Sequence, residues 1–121
     1  MKIGLDIMGG DYAPKATVLG AIAAYNVLSA GQEMVLIGDK GETVSLLREN
    51  NFDPDKFSYV HTTEVIGMGE HPTKAIVQKP DSSISVGFKM LKEGTLDAFC
   101  SAGNSGAMLV GAMFSVKAVP G

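Results

Sequence analysis

Lys2-Ile3-Gly4-Leu5-Asp6-Ile7-Met8-Gly9-Gly10-Asp11 opens the chain. Lys2 to Ile7 is short, mostly apolar and carries β-branched residues, so it reads as a strand. Gly9-Gly10-Asp11 ends it. Pro14 suits the first turn of a helix, where a missing N–H costs nothing. Thr17 to Ser29 continues that helix, with Val18, Ala21, Ile22, Tyr25 and Leu28 spaced for one apolar face. Gly31 is a natural C-terminal stop. Strand, glycine turn and helix in that order make the first half of a βαβ unit.

The same alternation recurs downstream. Met34 to Ile37 is a second apolar run ending in Gly38-Asp39. Glu42 to Glu49 is a shorter helix with Val44 and Leu47 inward, closed by Asn50, Asn51 and Pro54. Phe57 to His61 reads as a third strand and Thr62 to Pro72 as a polar loop. A helical turn at Thr73 to Val77 follows. Asp81-Ser82-Ser83 supplies capping residues for a helix with Val86, Met90 and Leu91 on its apolar side and Glu93-Gly94 at its end. Leu96 to Cys100 is a fourth strand. Ser101 to Gly106 is a loop of small residues, and Ala107 to Val116 an apolar helix followed by Pro120-Gly121. The order predicts an α/β fold of three α/β/α layers around a mainly parallel sheet, with right-handed crossovers.

The final helix is apolar nearly all round, and such a helix needs burial on several sides. Residues 1–121 offer little to cover it. The expectation is therefore that they form the N-terminal α/β portion of a longer protein, or that a second copy covers the helix.

Composition narrows the classes. Of 121 residues, 45% are hydrophobic and 19% charged, an ordinary globular balance. The net charge of −3 argues against a nucleic-acid partner, which demands a basic face. Cys100 is the single cysteine, so no intrachain disulfide can form, and a reducing, cytoplasmic compartment is the simplest reading. No apolar run reaches the length of a membrane span. His61 and His71 have no partners at metal-ligand spacing, so no metal site is expected.

Chemistry concentrates at two turns. In an open parallel sheet, ligands gather outside the C-terminal ends of the strands. Asp6-Ile7-Met8-Gly9-Gly10-Asp11 and Ser101-Ala102-Gly103-Asn104-Ser105-Gly106 both fall there. Glycine-exposed N–H groups aimed by a helix dipole suit an anion such as phosphate, and Ser101, Asn104 and Ser105 add side-chain donors. The alternative is that the glycines only make tight turns and that Asn104 or Ser105 caps the last helix. Neither turn is a G-x-G-x-x-G fingerprint, and no G-K-[ST] follows, so a dinucleotide or Walker-type nucleotide is not supported. Asp11 reads as a loop or cap residue. Asp6, at the end of a buried strand, needs a partner. Lys79, Ser82 and Ser83 form a second cluster, in which a lysine and a helix start could share a phosphate. There the alternative is a solvated lysine beside an Asp81 or Ser82 cap. Cys100, in an apolar strand, reads as buried filler.

Together, D-x-M-G-G-D-x-x-P at the start, D-S-S in the middle, and Lys92-Glu93-Gly94, Asp97-Ala98 and Ser101 to Ala107 resemble the phosphate acyltransferases of bacterial phospholipid synthesis. The resemblance runs over essentially all 121 residues. It implies transfer of a fatty acyl group from acyl carrier protein to inorganic phosphate, giving acyl phosphate. It also implies a fold similar to isocitrate/isopropylmalate dehydrogenases and to phosphotransacetylases, a homodimer, no organic cofactor, and peripheral membrane association through segments outside residues 1–121. Members are much longer than this chain. On this reading Ser101, Asn104 and Ser105, with the N–H groups around Gly103 and Gly106, hold phosphate or the oxyanion. Gly9 and Gly10 allow close approach, and Asp6 orients donors within its turn. A phosphotransacetylase using acyl-coenzyme A, or an inactive self-associating module, are the rival expectations.

Overall fold

A computed structural model describes residues 1–117. Its elements are β1 (Lys2–Asp6), α1 (Lys15–Tyr25), β2 (Glu33–Gly38), α2 (Lys40–Glu49), β3 (Ser58–His61), α3 (Pro72–Gln78), α4 (Ser83–Glu93), β4 (Ala98–Cys100) and α5 (Ser105–Ser115), with one 3₁₀ turn at Pro54–Lys56. The strands form one all-parallel sheet in the order β3-β2-β1-β4. Pro120-Gly121 lie outside the described residues.

β2 shows why the sheet is parallel. Met34, Val35, Leu36 and Ile37 are all buried, because both faces of the strand are covered. Met34 and Leu36 face one way, into a core with Val18 and Ala21 of α1, Leu47 of α2 and Phe57. Val35 and Ile37 face the other way, with Leu96 and with Val86, Met90 and Leu91 of α4. The sheet is thus the middle of three layers, with α1 and α2 on one face and α4 on the other. A third cluster, Ile66, Ala75, Ile84, Phe88 and Ala107, joins α3, α4 and α5.

Local chemistry sets the helix starts. Asp39 accepts from the Glu42 amide at 3.0 Å, Ser82 from the Ser85 amide at 3.2 Å and Asn104 from the Ala107 amide at 3.0 Å. His71 caps α3 through the Lys74 amide. α4 ends at Gly94, whose φ of +79° is the left-handed stop that glycine adopts at low cost.

Two expectations change, those for Asp11 and Cys100. Asp11 is exposed and makes no side-chain hydrogen bond among the described residues; α1 follows Pro14, which stands just before the helix and gives it no side-chain cap. Cys100 is exposed rather than buried, because among the described residues β4 pairs with β1 alone. α5 is buried on one side only: Ala107 and Gly111 are inward, while Leu109, Met113 and Phe114 are 63%, 60% and 70% exposed. Among the described residues no helix is long and apolar enough to cross a membrane.

Gly87 lies where α4 crosses Phe99 of β4. A Cβ there would overlap the Phe99 ring, which is itself packed edge-on against Phe88 at 5.3 Å. Gly87→Ala is expected to lower stability by about 1–3 kcal/mol, the usual range for overpacking. Urea unfolding followed by circular dichroism checks this, and an unchanged midpoint would show that the ring has room to yield.

Candidate functional site

From β1 the chain winds to β2 and then β3, crosses the opposite face, and returns as β4 on the far side of β1. The winding direction therefore reverses between β1 and β4. In an open parallel sheet, the crevice outside the strand ends at such a reversal is where ligands bind. The two glycine turns are the segments that leave β1 and β4 at this point.

Asp6 holds them together. It is 1% exposed. Its carboxylate accepts from Ser101 Oγ at 2.7 Å and from the Met8 amide at 3.0 Å. The Gly103 amide in turn donates to Ser101 Oγ at 3.0 Å. Burial raises the Asp6 carboxyl above its ordinary 3.8, while the hydroxyls of Ser83 and Ser101 and the amides of Met8 and Gly9 pull it partway back. The loops touch so closely that a Cβ on Gly9 would lie 2.8 Å from Ser101 Oγ and 2.9 Å from the Gly103 nitrogen. Gly10 has φ of +114°, which side chains rarely adopt. Beside this joint lies a cleft of about 350 Å³, lined by Gly9, Gly10, Asp11, Tyr12, Thr17 and Ala102 among others.

The structure thus brings together Asp6, Gly9, Gly10, Ser101 and Gly103. Ser83 completes the surroundings of Asp6 from the start of α4. Ser82 is fully buried and bonds Ser85.

Asn104 takes the capping role that its sequence context offered as the alternative to an anion donor. Its oxygen caps α5, and its Nδ2 donates to the carbonyls of Glu70 at 2.9 Å and Gly67 at 3.1 Å. Both ends of the amide are engaged, so Asn104 clamps the loop before α3 to the start of α5. Gly106 is packed against Pro72, leaving no room for a Cβ. Ser105 is exposed at the first residue of α5, where helix amides have no intrahelical partner. Lys79 is already paired: its Nζ lies 2.8 Å from both Glu70 Oε2 and the Val65 carbonyl. That ammonium, followed by the Gly67 amide, holds the Glu70 carboxyl below its ordinary value.

Residues 1–121 match the family described as "Fatty acid synthesis protein". The chain belongs to this family. It is 45% identical over its whole length to the phosphate acyltransferase of Acetivibrio thermocellus, covering 35% of that relative. The corresponding figures are 43% and 35% for the phosphate acyltransferase of Clostridioides difficile, and 42% and 35% for that of Dictyoglomus turgidum. The chain spans about a third of the length of these relatives.

Sequence reasoning passed over Thr17. Its hydroxyl donates to the Ile7 carbonyl and, at 2.8 Å, to the Pro14 carbonyl, pinning the first turn of α1 against the end of β1. A threonine three residues after a helix-start proline is the available signal, since short hydroxyl side chains bond back to nearby carbonyls.

The buried carboxyl has a pH signature. Below pH 3.8 Asp6 is protonated both folded and unfolded. As pH rises, the unfolded form ionises first, so the contribution of Asp6 to stability declines until its raised folded pKa is passed. The stability of the wild type relative to Asp6→Asn is therefore expected to fall as pH rises from about 4 toward neutrality. Urea unfolding of both proteins across that range measures it, and a wild type that gains stability relative to Asp6→Asn as pH rises defeats the assignment. Separately, Asn104→Ala removes a cap and strands the Gly67 and Glu70 carbonyls. It is expected to cost about 1–2 kcal/mol, read from the urea midpoint.

Proposed function

We propose that this chain supplies the phosphate-holding part of a site that transfers an acyl group from a thioester to inorganic phosphate. One observation carries the reading. Two glycine turns, tied by the Asp6–Ser101 bond, meet at the reversal of a parallel sheet in a chain that resembles phosphate acyltransferases over its whole length.

A phosphate oxygen attacks the thioester carbonyl carbon. The new C–O bond forms, the carbonyl electron pair moves to oxygen and returns, and the C–S bond breaks. The thiolate leaves and takes up a proton. Phosphate is a weak nucleophile, so positioning supplies much of the catalysis, and donors aimed at the developing oxyanion supply more.

The residues divide the work. Gly9 and Gly10 let an anion reach the backbone. Ser105 and Gly106 place a hydroxyl and amides at the mouth of α5, while Ser101, which donates to Asp6, and Gly103, which donates to Ser101, shape the joint that carries them. Asp6, with Ser82 and Ser83 behind it, holds Ser101 in place. Asn104 acts by positioning, through its clamp on the 67–70 loop. Lys79 can serve a phosphate only by leaving Glu70.

Acyl carrier protein is the proposed carrier, and a homodimer with peripheral membrane contact the proposed assembly of the whole protein. The exposed Leu109, Met113 and Phe114 of α5 support further assembly.

The test is a chimera in which this chain replaces the matching third of the Acetivibrio thermocellus relative. Acyl phosphate is expected from acyl carrier protein thioester in a phosphate-dependent reaction. Ser101→Ala, which cuts the tie between the two turns, is expected to lower kcat/KM for phosphate by about a hundredfold, as for a misplacement of about 1 Å. A folded chimera inactive with every thioester, or a Ser101→Ala chimera of unchanged kcat/KM, overturns the proposal. Preference for the coenzyme A thioester would move the assignment to a phosphotransacetylase.

A further inference from the structure

Among the described residues, one face of the sheet is open beside α1. A groove of about 460 Å³ runs there, lined by Ile3 and Leu5 of β1, Gly20 and Ala24 of α1, Leu28 and Cys100. Leu5 and Cys100 are register partners on adjacent parallel strands, so they share this face. All-parallel sheets are found with both faces covered by helices. Here α2 lies away from the groove, with its Leu47 in the cluster that holds Leu36 and Phe57. α5 belongs to the opposite layer, with α3 and α4. Neither can cover β4 on the α1 side.

Gly20 is the more telling feature. A glycine inside a helix costs stability relative to alanine and is retained where another backbone comes close. Each glycine at a crowded helix crossing has a visible cause, as Gly87 does in Phe99 and Gly111 in Phe88. Among the described residues, Gly20 has nothing within 4 Å of the place where a Cβ would stand. Its neighbour one turn on, along the groove, is the small Ala24. Such a surface admits another helix at short interaxial distance.

We infer that this groove is the seat of one α-helix contributed by the two thirds of the family's length that lie beyond the matched third. The occupant is polypeptide, packed against Gly20 and Ala24 and closing over Cys100. The inference draws on the family's length and on packing, not on the catalytic proposal, and its test reads no activity.

The chimera described above serves for the test. It is expected to unfold in urea as one cooperative unit, because the two parts share this core. Gly20→Leu, which an open groove accommodates and helix propensity favours, is expected to lower the urea midpoint, with Gly20→Ala lowering it less. Cys100 is expected to react with a thiol reagent at least tenfold more slowly in the native chimera than in urea, with the site read by peptide mass spectrometry. Gly20→Leu is expected to restore part of that reactivity. Two independent unfolding transitions, a midpoint raised by Gly20→Leu, or a Cys100 that reacts as fast folded as unfolded overturn the inference. Protection that appears only with added long-chain acyl thioester assigns the groove to an acyl chain instead. Protection that scales with protein concentration assigns it to a second copy. Either result also overturns the helix.

Discussion

A carboxylate buried at the end of β1 sets the terms for everything around it. Asp6 is cut off from water, and a buried charge without partners is too costly to persist. Its donors come from two places: the Met8 amide of its own turn, and the Ser101 hydroxyl at the end of β4. Drawing Ser101 in draws in Gly103, and Gly103 then lies against Gly9. The glycines are what make that approach sterically possible. The cleft beside them is the outer surface of the same knot.

Much of this architecture was legible in the residues. β2 announced a strand covered on both faces by its four consecutive apolar residues. Ser82 and Gly94 bracketed α4 as a cap and a left-handed stop. Asp6 stood out because its place at a strand end demanded a partner. Asp11 and Cys100 misled for a common reason: their surroundings depend on neighbours distant in sequence. A carboxylate four residues before a helix looks like a cap until the helix proves to follow a proline that gives no side-chain cap. A cysteine in an apolar strand looks buried until the strand proves to have one neighbour among the described residues.

Asn104 shows a subtler limit. Sequence spacing correctly suggested a cap for α5, and the amide oxygen does that work. Its nitrogen serves carbonyls more than thirty residues upstream, in a loop without periodicity. No local pattern encodes such a contact. The same holds for Lys79, whose partner Glu70 is brought to it by the turn of α3. In both cases residue type signalled a polar role, and only the path of the chain decided for whom.

The joint between β1 and β4 also governs when the site can come into being. Asp6 and Ser101 stand 95 positions apart, so their bond closes nearly the whole described chain into one loop. The βαβ unit of β1, α1 and β2 can form from contacts much nearer in sequence, while closing a long loop carries a greater entropic cost. On a ribosome the first glycine turn emerges early, yet it has no second turn to meet until β4 follows it out. Among the described strands the pocket is thus completed last, and an anion has nowhere to settle on a half-made chain.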